Sequence, residues 1–164
     1  MSDRKLNLLF ICTGNSARSI LAEGMLSQLG AERFNAYSAG SQPKGDVHPL
    51  ALTTLGHLHM KQTGYRSKSW GEYLTDGAPP MDFVITVCDN AAHEVCPVWP
   101  GQPITAHWGV ADPAAVEGSD EAKNRAFMDT AITLKRRIEF LLFLPMAKLE
   151  TLAIQREVRD IGTR

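Results

Sequence analysis

An apolar segment that leads directly into a polar loop and then into a helix is the strongest constraint on this fold. Leu6–Ile11 is almost continuously apolar, as central strands of a parallel sheet are when both faces are buried. The polar loop Cys12–Ser19 follows, and Ser16–Leu29 carries apolar residues at helical spacing. A strand joined to a helix by so short a loop predicts a β–α unit, and such units build parallel sheets.

The rest of the chain repeats this alternation of strand and helix patterns. Further strands are predicted at Asn35–Ala39, Met81–Val87 and Pro103–Trp108, and further helices at His48–Leu58, Ser69–Leu74, Ser119–Leu144 and Leu149–Ile161. The residues expected on the inner side of the longest helix are Ala126, Ile132, Leu134, Ile138 and Leu141. The alternation predicts an α/β fold with a parallel sheet.

Composition narrows the classes of function. The chain has 164 residues, which is the size of one domain, and Pro145 divides a main unit at 1–144 from a helical extension at 145–164. Lys and Arg total 17 and Asp and Glu total 18, so no charge excess indicates a nucleic-acid or membrane partner. No apolar stretch is long enough to span a membrane, and Met1–Lys5 is not a signal peptide. We therefore expect a cytoplasmic protein.

The loop after the first strand carries the residues of an oxyanion site. Gly14 and Asn15 tolerate the backbone conformation that points successive N–H groups at one spot, close to the positive end of a helix dipole. Arg18 can bind two oxygens of the same anion, although elsewhere it would be an ordinary surface charge. The same field predicts that the pKa of the Cys12 thiol falls below about 8.5 and that Ser19 donates its hydroxyl to the thiolate. Nucleotide-binding glycine motifs are absent from this loop.

Cys12–Ser19 matches the C-x5-R-[ST] signature of the low-molecular-weight tyrosine phosphatase superfamily, and its place after the first strand matches as well. The resemblance implies a four-stranded parallel sheet flanked by helices, to which this chain adds a C-terminal helix. It also implies that Cys12 is the nucleophile and Arg18 the oxyanion clamp. The oxyanion-binding residues that follow from it are Thr13, Gly14, Asn15, Ser16, Ala17, Arg18 and Ser19.

Two further cysteines indicate redox chemistry. Cys88 ends the strand predicted at Met81–Val87, at the sheet edge where ligands of parallel sheets bind. The segment Val87–Pro97 resembles the redox segment of thioredoxin-coupled arsenate reductases, which implies that Cys88 and Cys96 act as relay thiols, although their spacing is one residue longer than expected. A structural role for Cys88 is the alternative. A zinc site at Cys88, His93 and Cys96 is disfavoured because structural zinc takes four ligands.

An Asp-Pro pair supplies a candidate general acid. In the superfamily this pair carries the acid, so the resemblance assigns that role to Asp112, whose direction Pro113 would restrict. The alternative is an ordinary turn before a helix. His107–Gly109 is more similar to the reductases, and Ala114 follows where phosphatases carry an aromatic residue.

Some members of the superfamily bind potassium near the loop. Asn15, Glu23 and Ser38 fit part of that pattern, whereas Arg66–Trp70 offers no acidic residue. No other metal and no tightly bound cofactor are expected.

The resemblance predicts reduction of arsenate to arsenite by Cys12, Cys88 and Cys96, with Asp112 as acid. An external thiol would regenerate the protein, either thioredoxin or glutathione with glutaredoxin. One alternative is a phosphomonoesterase that uses only Cys12, Arg18 and Asp112. Another is a sensor that binds oxyanions, or responds to redox state, without catalysis.

Overall fold

The computed structural model describes residues 4–88, 97, 99–146 and 150–164. Its four-stranded sheet has the order β2-β1-β3-β4, and every pair of neighbouring strands is parallel. The strands are β1 (Leu6–Cys12), β2 (Phe34–Gly40), β3 (Phe83–Thr86) and β4 (Ile104–His107). The predicted α/β class and the four-stranded parallel sheet are confirmed.

Helices surround the sheet. Those described are α1 (Arg18–Leu29), α2 (Pro49–His57), α3 (Asp120–Phe143) and α4 (Thr151–Ile161), and two short 3-10 turns lie at Trp70–Tyr73 and Pro113–Ala115. The first helix begins two residues later than predicted, because residues 13–17 belong to the loop. In the described part of the chain, no helix is long and apolar enough to cross a membrane.

Strand register brings the candidate residues to one edge of the sheet. Cys12 pairs with Gly40 on one side, while Ile11 pairs with Thr86 on the other. His107 in turn pairs with Thr86. The segments that leave β1, β3 and β4 therefore start at the same level, where ligands of parallel α/β sheets bind.

The core lies on both faces of β1, as its continuous hydrophobicity predicted. Leu8, Leu9, Phe10 and Ile11 are all fully buried. The predicted inner side of α3 needs one correction, since Ile132 is 50% exposed. The buried side of α3 is formed by Phe127, Thr130, Ala131, Leu134, Arg137, Ile138 and Leu141. Ile132 lies next to buried Ala131 in sequence but about 100° further around the helix, and so it faces solvent.

The C-terminal helix α4 covers the edge strand β4. Gln155 uses its side-chain amide as a strand would use its backbone, accepting from Thr105 N at 3.3 Å and donating to Thr105 O at 2.6 Å. Val158 and Ile161 are buried against the core. This packing protects an edge that would otherwise expose unpaired backbone groups.

Candidate active site

The nucleophile candidate lies at the end of β1, at the floor of the loop. Cys12 is 3% exposed, and its Sγ is 3.0 Å from the Ser19 hydroxyl oxygen, in agreement with the predicted contact. Asn15 has a φ of 43°, so the left-handed turn falls on this residue rather than on Gly14. Asn15 tolerates this conformation better than most residues with a side chain.

Asn15 is the centre of a buried polar network that shapes the loop. Its Nδ2 donates to Ser19 Oγ at 2.8 Å and to Ser38 Oγ at 3.0 Å. Its Oδ1 accepts from the backbone N–H of Lys68 at 2.9 Å. Ser19 also contacts Cys12, so the network connects the body of the protein to the thiol. Such networks stabilise one arrangement because an unpaired buried polar group is costly.

The structure brings together the three residues suggested for potassium, but a lysine lies between them. Lys68 Nζ is 3.4 Å from Ser38 Oγ, 3.5 Å from Asn15 Oδ1 and 4.0 Å from Glu23 Oε1, and it donates to Arg66 O at 2.7 Å. The Lys68 side chain is only 6% exposed. Burial raises the pKa of Glu23 and lowers that of Lys68, against the attraction between them. These residues do not fit a potassium ion, because the ammonium group takes the cation's place.

Arg18 is the first residue of α1 and reaches across the site. Its Nη1 donates to Val110 O at 2.9 Å, and its Nη2 lies 3.9 Å from Asp112 Oδ2. The Arg18 side chain is 14% exposed and that of Asp112 39%. Asp112 Oδ1 accepts from Ala114 N at 3.0 Å, so this residue does cap the turn after it. Its remaining oxygen faces Arg18, at the predicted position of the acid.

Cys88 lies against Cys12. It is 1% exposed, its Sγ accepts from the Thr13 N–H at 3.2 Å, and its thiol is near enough to the Cys12 thiol to raise the pKa of Cys12. The neighbouring Cys88 thiol and burial hold the pKa of Cys12 well above its usual range, although the hydrogen bond from Ser19 opposes them. The predicted lowering of this pKa is therefore wrong. Two adjacent buried thiols resist carrying negative charge, so the Cys12 thiol stays protonated to a higher pH than the loop motif predicts.

The second relay cysteine, Cys96, and His93 of the zinc alternative lie outside the described residues. Within the described ranges, no cluster of three or more His, Cys, Asp or Glu residues could hold a metal ion.

Sequence patterns did not reveal Lys68 or the Val110 carbonyl as parts of this site. Lys68 follows Arg66 in a polar segment that carries no motif, and a backbone carbonyl has no sequence signal at all. The absence of an acidic residue in Arg66–Trp70 was the one sequence feature that argued against a potassium ion at this site.

A thiol, an arginine and a carboxylic acid around a loop of backbone N–H groups can capture and attack a tetrahedral oxyanion. The family model of the low molecular weight phosphotyrosine protein phosphatases matches residues 7–158. The chain belongs to this family. Its relatives include the arsenate reductase of Halalkalibacterium halodurans, which is 35% identical over 132 residues, or 80% of this chain and 91% of that protein. The predicted resemblance to the arsenate reductases of this family is thus confirmed.

Two solved structures extend the comparison. An arsenate reductase in the phosphate-binding state superposes with a TM-score of 0.65 at 27% identity, covering 84% of this chain and 96% of that one. A thioredoxin-dependent arsenate reductase of Corynebacterium glutamicum gives a TM-score of 0.56 at 26% identity, covering 85% of this chain and 64% of that one.

Proposed function

We propose that this protein reduces arsenate to arsenite by a relay of three cysteines. The observation that carries the proposal is the position of the buried Cys88 thiol, whose Sγ accepts from the N–H of Thr13, the residue next to Cys12, at 3.2 Å. A phosphatase of this family needs one nucleophilic cysteine, whereas a second buried thiol against the first provides the electrons for a reduction. The arsenate reductases among its relatives support the same substrate.

The first step is nucleophilic attack on bound arsenate. The loop N–H groups and Arg18 hold the oxyanion, and the Cys12 thiolate forms a sulfur–arsenic bond. One arsenate oxygen leaves as water after Asp112 protonates it. The positive guanidinium of Arg18 offsets the negative charge of the oxyanion that is bound next to the nucleophile.

The second step transfers electrons. Cys88 attacks Cys12 Sγ, and the sulfur–arsenic bond breaks with both electrons remaining on arsenic, which leaves as arsenite. A Cys12–Cys88 disulfide results. Cys96 then attacks Cys88, which frees Cys12 and leaves a Cys88–Cys96 disulfide. An external dithiol reduces this disulfide. Thioredoxin is the favoured reductant because a relative is thioredoxin-dependent, and glutathione with glutaredoxin is the alternative. The relay needs free thiols, which suits the predicted cytoplasmic location.

Coupled turnover tests the activity directly. Arsenate, thioredoxin, thioredoxin reductase and NADPH are supplied, and NADPH oxidation and arsenite release are followed together. Replacement of thioredoxin and its reductase by glutathione, glutaredoxin and glutathione reductase identifies the reductant. If reduced protein releases no arsenite with either system, the proposal fails, and hydrolysis of an aryl phosphate by the same sample would then indicate the phosphatase alternative.

Single-turnover mass spectrometry tests the order of the relay. Cys96→Ser should release about one arsenite per protein and stop at a Cys12–Cys88 disulfide, because the next thiol is missing. Cys88→Ser should release none and leave the oxidation state of arsenic unchanged. Equal arsenite release by both variants would contradict the relay.

A further inference from the structure

The segment between β4 and the candidate acid is held by two arginines. We call residues 108–112 the acid loop. Arg137 Nη1 donates to Trp108 O at 2.9 Å and to Gly109 O at 3.1 Å, and Arg18 Nη1 donates to Val110 O at 2.9 Å. Three successive carbonyls of this loop therefore bind guanidinium groups. Arg18 is the residue that would bind the oxyanion, and its hydrogen bond to the third carbonyl, Val110 O, orients its side chain.

Arg137 lies on α3 and is only 8% exposed. Its Nε donates to Arg164 O at 3.2 Å, so the same side chain also ties down the end of the segment after α4. Burial and the neighbouring Arg136 lower its pKa. A buried guanidinium requires acceptors for its donors, and here the two N–H groups of one nitrogen, Nη1, bind two adjacent carbonyls.

The helix α4 also contacts the start of the acid loop. Trp108 is fully buried, and its indole Nε1 donates to Val158 O of α4 at 2.9 Å. At the end of α4, Gly162 lies so close to the His107 carbonyl oxygen that a Cβ atom would collide with it. The acid loop is thus clamped between the sheet, α3 and α4.

We propose that Arg137, assisted by α4 through Trp108, is a positioning residue for Arg18 and the acid loop. The inference rests on the proposed role of Arg18 in oxyanion capture. Arg137 does not reach the anion itself. It fixes the backbone whose next carbonyl, at Val110, sets the direction of the Arg18 fork. Small displacements of such positioning groups, of about 1 Å, can cost about 100-fold in rate.

The test is the binding of sulfate, an inert tetrahedral oxyanion, measured by calorimetry on the reduced full-length protein. Arg137→Gln should weaken sulfate binding by about tenfold, a typical coupling between residues of one network. Arg136→Gln is the matched control, because it removes the same charge from the adjacent, exposed position. It should leave the affinity within about twofold.

A double-mutant cycle separates positioning from a loss of stability. In an Arg18→Lys background the fork is already gone, so Arg137→Gln should cause little further loss of sulfate affinity. A general loosening of the fold would lower affinity equally in both backgrounds. Equal losses in the two backgrounds overturn the inference, as does an unchanged affinity in Arg137→Gln.

Trp108→Phe provides a second route if Arg137→Gln does not fold. It keeps an aromatic ring near Phe10 but removes the N–H that binds α4, together with part of the ring volume. The same cycle with Arg18→Lys applies, with a smaller expected loss of about threefold for one neutral hydrogen bond. An unchanged affinity, or an equal loss in both backgrounds, again overturns the inference. Because sulfate is not reduced, failure of arsenate turnover leaves this result interpretable, whereas no sulfate binding by the wild type would overturn the oxyanion site itself.

Discussion

The cysteine loop and the acid loop face each other across the site, but they are held in different ways. Residues 12–19 are joined directly to β1 and α1, and contacts within the loop, such as Cys12 with Ser19, complete the turn, which Ser38 and Lys68 support through Asn15. The acid loop depends on partners far away in sequence, with Arg137 29 residues from Trp108 and Val158 50 residues from it. A site can therefore combine one part encoded by a short motif with another part set by the tertiary packing of distant helices.

The largest effect is expected at the centre of the cysteine loop. Cys12→Ser should lower arsenite formation on the order of 10⁴-fold or more, because the hydroxyl cannot replace the thiol as nucleophile or electron donor. The coupled assay measures this directly, and sulfate affinity in the same variant reports whether the loop is intact. Substantial turnover by Cys12→Ser would show that the loop is not the reactive part.

Arg18 connects the two loops, so its replacement should have the second largest effect. Arg18→Lys should reduce kcat/KM by about 100- to 1,000-fold, since a lysine cannot bind an oxyanion and the Val110 carbonyl with one planar fork. Arg125→Lys, on the exposed side of α3, is the matched control. Comparable losses in both variants would mean that the planar fork of Arg18 has no special part in binding the oxyanion.

Asp112 tests the acid loop alone. Asp112→Asn keeps the size and the cap on Ala114 N but cannot donate the proton, so kcat should fall by about 100-fold or more with little change in sulfate affinity. Steady-state kinetics and calorimetry on the same preparation give both quantities. If sulfate affinity falls and kcat does not, Asp112 acts through its charge and not by proton transfer.

The thiol pair predicts a pH effect of moderate size. Because contact with Cys88 raises the pKa of Cys12, less thiolate is present at neutral pH than in an isolated thiol. Alkylation of Cys12 by iodoacetamide should therefore be slow near pH 7 and rise as pH increases beyond the usual thiol range. In Cys88→Ser the main cause of the raised Cys12 pKa is removed, and the alkylation profile should move to lower pH. An unchanged profile would leave burial as the sole cause.

The smallest effect concerns the cation behind the cysteine loop. With Lys68 among Asn15, Ser38 and Glu23, exchange of sodium for potassium should change neither the melting temperature nor arsenate kinetics of the wild type. Lys68→Met should lower the melting temperature by several degrees, since Glu23 would lose its buried partner. Clear activation of the wild type by potassium would contradict the placement of the ammonium group.

Much of the fold could be predicted because its signals are local. The continuous apolar run of β1 indicated a strand buried on both faces, and the loop after it indicated the position of the site. The error at Ile132 arose because a long helix with a mixed composition allows more than one choice of inner side. Only the packing of α3 against α1 and α2 selects between them.

The sequence predicted the site residues that a motif marks, and it missed the contacts between residues that are far apart along the chain. Cys12, Arg18, Cys88 and Asp112 all lie at the expected edge. The pKa of Cys12 was misjudged because the motif shows the helix dipole but not a thiol 76 positions away along the chain. Proximity of two ionisable groups reverses the expected direction.

By itself, the sequence determined the parallel α/β class, the place of the candidate nucleophile and the presence of an arginine that can bind an oxyanion. These depend on hydrophobic periodicity and on residues within one turn of each other, which act the same way in many folds. Only the tertiary structure decided that Lys68 supplies the cation and that Arg137 holds the acid loop. A charged side chain acquires such a role from the acceptors that packing brings to it, and no local pattern records those.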